Sequence, residues 1–338
     1  MMRSTFLLRS PRLFFILLVG ILFGSILLAL NMGKYPLSPS QLWETISCSF
    51  SGQCEGNTEQ TVLWQIRLPR IFAACFVGAA LACAGATYQG MFKNPLVSPD
   101  ILGVSAGAGF GASLAIFYNL PMVYIQFIAF SGGILAVLCV SLIASRSRTQ
   151  DPILVLVLSG IAIGSLLGAG ISLLKILADP FTQLPSITFW LLGSLTAINQ
   201  QDLIQLIPIL LLGIVPIFLL RWRLNLLSLD EDEAQTLGVP IKRTRWILIV
   251  FTTLCTASAV AMTGIIGWVG LLVPHIARLL VGANFIRLLP TSLLLGASFL
   301  LLTDTLARTI APIELPLGIL TSACGAPFFL YLLVQGQK

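Results

Sequence analysis

Long apolar runs separated by short polar connections make up almost the whole of this 338-residue sequence. Because a membrane-spanning helix needs about 20 mostly apolar residues, the pattern predicts an all-α polytopic membrane protein with about ten transmembrane helices. The chain is expected to form a single domain, 1–338. The expected spans are 13–30, 68–91, 101–118, 123–144, 153–174, 203–220, 246–263, 266–281, 288–309 and 315–334.

Composition agrees with this interpretation. Hydrophobic residues make up 57% of the chain and charged residues 9%, with a mean hydropathy of +0.97, which excludes a soluble globular domain. The first apolar run follows several arginines, as in a signal peptide, but it is long enough to span and no A-x-A-like cleavage site follows it. We therefore expect a retained first span. The piece 187–195 is too short to cross and is expected at the outer surface.

The positive charges predict the orientation. The net charge of +6 does not indicate nucleic-acid binding, because the bases never form a stripe with aromatic residues. With both termini cytoplasmic, the bases lie mostly on the inner side, as the positive-inside rule requires. Only five of the 19 fall outside: Lys34, Arg67, Arg70, Lys175 and Arg308. Spans two to five then begin outside and spans seven to ten inside, which is compatible with an inverted repeat.

Two of the cysteines lie in the polar connection 31–65, which this orientation places outside the cytoplasm. Cys48 and Cys54 could form a disulfide in an oxidising periplasm, but a spacing of six residues leaves the pairing open. The other five cysteines fall in apolar runs, where a thiol behaves as a small packing residue.

The longest charged segment is residues 221–245, RWRLNLLSLDEDEAQTLGVPIKRTR. Asp230 is placed to cap a short helix, 231–237, and Glu233 completes a capping box. Leu229 can pack on Ala234 as a hydrophobic staple, and Gly238 supplies the left-handed residue that ends the helix.

The first turn of this short helix is acidic, which suits the positive end of the helix dipole. It contains Glu231, Asp232 and Glu233, and the helix is expected to end at Leu237. Two interpretations remain open at this point. The helix is either a solvated loop helix or a docking helix offered to a cytosolic partner.

Chemical motifs are mostly absent. The sequence has no G-x-x-x-x-G-K-[ST] phosphate loop, and the loose glycine pattern from Gly103 to Gly111 follows no strand. His275 is the only histidine, so a histidine-based metal site is not expected. Asp304 lies deep in an apolar run one turn before Arg308, and the two can neutralise each other. A secondary transporter and an intramembrane enzyme remain as alternatives to a permease driven by a separate ATPase.

Several longer motifs resemble the iron-siderophore and cobalamin permease family of ABC importers, in that family's order along the chain. They include RLPR (67–70), NPLVSPDILGVSAGAG (94–109), LSLDEDEAQTLGV (227–239), GIIGWVGLLVPHIARLLVG (264–282) and ELPLGILTSACGAP (314–327). The resemblance implies a BtuC-like type II ABC importer permease fold. It further implies a homodimer in the bacterial inner membrane, two copies of a cytosolic ATPase that bind ATP and Mg²⁺, and a periplasmic substrate-binding protein. On this resemblance, the permease itself is expected to bind no cofactor and no metal.

The resemblance also assigns sites. The segment from Leu229 to Gly238 matches the coupling helix that sits in a groove of the ATPase, although the family usually has glycine at the position of Asp230. Arg67, Arg70 and Arg308 match arginines that face acidic residues of the binding protein. The cytoplasmic gate maps near Gln150, Asp151, Pro152 and Ile153.

The translocation pathway is expected at the two-fold axis of the dimer, walled by the fifth and tenth spans. These spans offer small and weakly polar residues: Ser159, Gly160, Gly164, Gly318, Thr321 and Ser322. The alternative is that such residues only allow close helix packing. The resemblance to the family implies that the cargo is a metal chelate (a ferric siderophore, haem or cobalamin) or a metal oxyanion. The oxyanion is included because, within the family, the likeness is strongest to the molybdate/tungstate branch.

Overall fold

The computed structural model describes residues 11–35, 37–51, 58–147, 152–229, 231–238 and 240–335, and its regular elements in these ranges are all helical. Ten helices are apolar: α1 (Pro11–Asn31), α4 (Leu68–Met91), α5 (Val104–Phe117), α6 (Met122–Arg146), α7 (Pro152–Leu177), α9 (Gln200–Leu219), α12 (Ile241–Thr263), α13 (Val269–Val281), α14 (Phe285–Thr309) and α15 (Leu317–Gln335). The short helices are α2 (Pro39–Ser51), α3 (Thr58–Thr61), α8 (Gln183–Leu191), α10 (Arg221–Leu227) and α11 (Glu231–Thr236).

The apolar helices agree with the class of fold predicted from the sequence. Seven of them are long and apolar enough to cross a membrane, and three are shorter. Each lies at the position of one expected span. The prediction of an all-α polytopic membrane protein is therefore confirmed.

Two expected spans begin later than predicted because the backbone turns before the helix starts. The third begins at Val104, since Pro99–Leu102 forms a separate 3₁₀ turn that Gly103 ends at φ +78°. The eighth begins at Val269, after a non-helical stretch in which Gly264 and Trp268 have φ of +71° and +70°. An alanine Cβ at Gly264 would also lie 2.1 Å from the Trp190 carbonyl oxygen.

Helix α4 is at the centre of the bundle and packs against α9, α12, α13 and α14. Glycines let the backbones approach closely: a Cβ at Gly78 would lie 2.2 Å from the Gly296 carbonyl oxygen, and one at Gly85 would lie 1.7 Å from that of Gly270. Small residues of the second span therefore permit close helix packing.

Helices α5 and α6 pack in the same way. A Cβ at Gly107 would lie 2.4 Å from the Gly132 carbonyl oxygen, and one at Gly111 would lie 2.5 Å from that of Ile128. Gly103, the first glycine of the pattern that ends at Gly111, instead forms the left-handed turn before α5.

The helix contacts repeat between the two halves of the chain. Helices α5, α6 and α7 contact one another, and so do α13, α14 and α15. The helix that precedes each trio packs on the other trio: α4 contacts α13 and α14, while α12 contacts α5 and α6. This reciprocal pattern is what two related four-helix groups would produce, and it supports the inverted repeat that the alternating orientation of the spans suggested.

The connection between α1 and α4 contains the helix α2, which the sequence pattern did not indicate. A small core of Leu37, Leu42 and Leu63 holds it down, and Trp64 Nε1 donates a 3.0 Å hydrogen bond to Ser49 Oγ. Cys48 is disulfide-bonded, as the periplasmic interpretation of this connection allows. Cys54 lies outside the described residues.

Candidate functional site

Arg67, Arg70, Asp304, Arg308 and Glu314 form a charged group that we call the Asp304 cluster. Arg70 Nε lies 2.8 Å from Asp304 Oδ1 and 3.0 Å from Oδ2, and Arg70 Nη1 lies 2.8 Å from Glu314 Oε2. Arg308 Nε lies 3.3 Å from Asp304 Oδ2. The Asp304 side chain is fully buried, whereas that of Glu314 is 29% exposed. The cluster therefore joins α4, α14 and the connection to α15 through one buried carboxylate.

The remaining guanidinium donors of the cluster reach the backbone next to α1. Arg67 donates hydrogen bonds to the carbonyl oxygens of Leu30 and Tyr35, and Arg308 Nη2 lies 3.4 Å from that of Ala29. Gly33 lies close by, since a Cβ there would be 3.1 Å from Arg67 Nη2. All three arginines are thus turned into the protein and are buried.

The loop that Arg67 holds carries one perturbed group. The Tyr35 hydroxyl donates a 3.1 Å hydrogen bond to Glu59 Oε1. This hydrogen bond and the negative charge of Glu59 raise the pKa of Tyr35. The direct docking role predicted for Arg67, Arg70 and Arg308 stays a prediction, and the geometry adds that Glu314 is the accessible member of their cluster.

The opposite end of the bundle, which we call the Lys93 end, carries α10 and α11. Lys93 Nζ lies 2.5 Å from the Leu229 carbonyl oxygen, which ties the end of α4 to the segment before α11. Ala234 is buried against the body of the chain at 1% exposure, whereas Leu229 and Leu237 are 37% and 59% exposed. Gly238 has the predicted left-handed conformation, with φ of +78°.

Further contacts fix the same segment. The Asn225 side chain accepts a 2.8 Å hydrogen bond from the Phe285 backbone N–H and donates one of 3.1 Å to Asn284 Oδ1. The capping residue Asp230 lies outside the described residues, as do the expected gate residues Gln150 and Asp151. Of the other two gate residues, Pro152 begins α7 and Ile153 is half-buried near its start.

The six expected pathway residues fall into two groups. Four of them pack inside the subunit. A Cβ at Gly160 would lie 2.0 Å from the Ile101 carbonyl oxygen, and a Cβ at Gly318 would lie 2.6 Å from the Leu192 carbonyl oxygen. The side chains of Ser159 and Thr321 are buried.

The other two leave space at the surface of the subunit. Gly164 would meet nothing within 4 Å if it carried a Cβ, and Ser322 is exposed, with its hydroxyl bonded to the Gly318 carbonyl oxygen at 2.6 Å. Ser165 and Gly168 near Gly164 are similarly accessible or unobstructed. Which residues line a pathway stays a prediction, and these four are the ones that leave room for it.

Within the described ranges, no group of three or more His, Cys, Asp or Glu side chains could hold a metal ion. The sequence motifs alone could not reveal the Asp304 cluster, because its partners are far apart along the chain. Asp304 and Arg308 are four residues apart and were paired in advance, but Arg70 lies 234 residues from Asp304.

Within the described ranges, ten apolar helices, eight of them in two similarly packed groups of four, define a helical membrane protein of the transporter class. The profile of the FecCD transport family matches residues 16–335, and the chain belongs to this family.

Individual relatives extend the match over most of the chain. The molybdate import system permease protein MolB of Haemophilus influenzae is 42% identical over 319 residues, 91% of this chain and 94% of the relative. A probable iron chelatin transport system permease protein of Helicobacter pylori is 44% identical over 274 residues, 81% and 82% of the two chains.

A solved structure agrees in shape. It is described as an inward-facing conformation of an ABC transporter assigned to the metal-chelate type, and it superposes with a TM-score of 0.86 at 39% identity. The match covers 96% of this chain and 100% of the other. The predicted family and fold are therefore confirmed.

Proposed function

We propose that this chain is the membrane-spanning permease subunit of a binding-protein-dependent ABC importer. The observation that carries the proposal is the match over nearly the whole chain to permease subunits, together with a TM-score of 0.86 to an ABC transporter structure. The chain would act as a homodimer with two copies of a cytosolic ATPase, which bind ATP and Mg²⁺, and with a periplasmic binding protein. It would lie in the bacterial inner membrane with both termini cytoplasmic and the Asp304 cluster outside.

The proposed cargo is a metal oxyanion or a metal chelate. Relatives at comparable identity are named for different cargoes: molybdate at 42%, iron chelatin at 44% and cobalamin at 39%. Overall identity therefore does not discriminate among these cargo classes. We place molybdate or tungstate first, and a ferric siderophore, haem or cobalamin second.

Coupling to the ATPase is proposed at α11 and its flanks. Ala234 anchors this segment by facing inward, and the bond between Lys93 and the Leu229 carbonyl oxygen connects it to α4. Among the described side chains of this segment, Leu229, Glu233, Thr236 and Leu237 are exposed and available to a partner. Exposed leucines within a charged segment would be desolvated by docking, and a movement of the segment before α11 would be passed to the end of α4 through Lys93.

Docking of the binding protein is proposed at the Asp304 cluster. A carboxylate of the binding protein would meet Arg70 by replacing Glu314, the member of the cluster that is 29% exposed. Partly exposed ion pairs are worth about 0–1 kcal/mol, so this exchange costs less than opening the fully buried pair with Asp304. Arg67 and Arg308 would support the surface by holding the backbone of residues 29–35.

The proposal is tested with purified permease, ATPase and binding protein reconstituted in nanodiscs. We expect cargo-loaded binding protein to stimulate ATP hydrolysis, and a Leu237→Asp variant to lose that stimulation because a charge replaces an apolar contact. Arg287→Asp is the matched control, since it introduces the same charge at an exposed position of the same end of the bundle, outside α11. Equal stimulation of the wild-type and Leu237→Asp complexes would contradict the docking assignment.

A further inference from the structure

Arg278, near the end of α13, has no carboxylate partner within the described part of the chain. Arg278 Nε is buried and has no hydrogen-bond partner. The guanidinium group contacts Gln89, with Nη2 lying 3.4 Å from Gln89 Oε1. By contrast, Arg70 and Arg308 pair with Asp304. The Arg278 side chain as a whole is half-buried, and a charge taken partly out of water is costly unless it is paired and hydrogen-bonded. Arg278 therefore calls for an anion that the described part of the chain does not supply.

A second unsatisfied group lies one turn earlier on the same helix. His275 Nδ1 is buried and has no hydrogen-bond partner. Residues three apart lie on the same face of a helix, so His275 and Arg278 present their ring nitrogen and guanidinium to one side of α13. A neutral imidazole can donate from one of its two nitrogens. Two potential donors are thus left open next to each other.

Gln89 on α4 holds the arginine in place. Its Nε2 donates a 3.1 Å hydrogen bond to the Leu271 carbonyl oxygen, which leaves Oε1 turned toward Arg278. Gln89 is 1% exposed, so this orientation is fixed by packing. Gln89 is a positioning residue that directs the guanidinium rather than a ligand itself.

The helix dipole does not explain the arrangement. A cation in the last turn of a helix is stabilised by the carbonyl groups there, and Arg278 is in the last turn of α13. That interaction neither satisfies the buried Arg278 Nε nor gives His275 Nδ1 a partner. A negatively charged hydrogen-bond acceptor would satisfy both side chains.

We infer that Arg278 and His275, with Gln89 holding the guanidinium in place, form a binding site for a tetrahedral oxyanion group at the Lys93 end of the protein. A guanidinium offers several donors in a planar fork that suits such oxyanions, and His275 adds a donor from the side. The group would come from a free oxyanion, of which molybdate and phosphate are examples, or from the phosphate of a lipid headgroup. The free-oxyanion source rests on the proposed function, since it would make the site a cargo contact at the cytosolic end.

The experiment measures two probes on the purified full-length protein in detergent without the ATPase. Molybdate binding is followed by equilibrium dialysis, and retention of phosphatidylglycerol by native mass spectrometry. We expect Arg278→Gln to weaken binding of one probe about tenfold or more, and His275→Leu to weaken the same probe. Arg287→Gln is the matched control, because Arg287 is an exposed arginine near the start of α14, and it should stay within about twofold of wild type.

The outcomes separate the two sources. A loss of molybdate binding in Arg278→Gln identifies a free oxyanion, and a loss of phosphatidylglycerol identifies a headgroup. If both probes bind Arg278→Gln as they bind Arg287→Gln, the inference is overturned. Arg278→Lys guards against misfolding, since it keeps the charge, and it should weaken binding less than Arg278→Gln does. Because no ATPase is present, failure of the transport proposal would not alter these results.

Discussion

Removing the charge of Asp304 should destabilise this protein more than any other single isosteric change in the Asp304 cluster. The Asp304 side chain is fully buried and touches both Arg70 and Arg308. Replacing it by asparagine leaves two buried guanidinium groups without their shared counter-charge. Breaking a buried ion pair by removing one partner costs about 3–5 kcal/mol.

The lower end of that range applies to Asp304→Asn. The amide oxygen of asparagine can still accept one hydrogen bond from Arg70, so we expect a loss of about 3 kcal/mol in the free energy of unfolding. Glu314→Gln is the matched control within the cluster, because Glu314 is 29% exposed. A partly exposed pair contributes only about 0–1 kcal/mol.

The assay is reversible unfolding of the purified protein in mixed micelles by increasing SDS, followed by circular dichroism. A double-mutant cycle with Arg308→Gln isolates the coupling between Arg308 and Asp304, which should be favourable because Asp304 is the carboxylate that Arg308 contacts in the described part of the chain. If Asp304→Asn and Glu314→Gln destabilise equally, or if the cycle gives no coupling, the buried network does not hold these helices together.

Three further predictions test packing, the pathway and coupling. Gly85→Ala should lower the free energy of unfolding by about 1–3 kcal/mol, because its Cβ would overlap the α13 backbone. Gly20→Ala is the control: a Cβ at Gly20 would meet nothing within 4 Å, so this substitution should stabilise the protein by up to about 1 kcal/mol. In a background without the native cysteines, Ser165→Cys should react with water-soluble thiol reagents in at least one nucleotide state, whereas Thr321→Cys should stay protected because Thr321 is fully buried. Leu237→Asp should abolish ATP-driven uptake while leaving dimer assembly intact.

Each of these has a contrary result. Equal stability of the two alanine variants would mean that α4 and α13 do not pack as closely as described. Complete protection of the cysteine at position 165 in every nucleotide state, with transport intact, would favour helix packing over a pathway for the small residues of α7. Normal uptake by the Leu237→Asp variant would remove α11 from the coupling surface.

Hydropathy was sufficient to locate the apolar helices because a membrane-spanning helix is specified by length and apolarity alone. It was less successful where the backbone turns inside an apolar run. Nothing in the apolarity of residues 101–103 or 264–268 separates turn from helix, and the positive φ of Gly103, Gly264 and Trp268 decides the boundary. Helix α2 was missed because it is amphipathic, and its buried side is set by contacts with Leu37 and Leu63.

The sites show the same division between local and long-range information. The left-handed Gly238 was predicted because helix-ending signals are local. The pairing of Arg70 with Asp304 and Glu314 was not, since it joins residues 234 and 244 positions apart. Burial of Ala234 likewise depends on how α11 rests on the bundle, and it changes which residues of that helix can meet a partner.

We propose that this chain moves cargo only when a separate ATPase drives it. The most direct measurement is uptake of radiolabelled molybdate, ferric siderophore or cobalamin into proteoliposomes containing the permease, with binding protein outside and ATP inside. We predict uptake of one cargo that requires both the ATPase and ATP, and that stops when the ATPase carries a substitution of its catalytic glutamate. Uptake by the permease alone, driven by a proton or sodium gradient, would contradict the account and identify a secondary transporter.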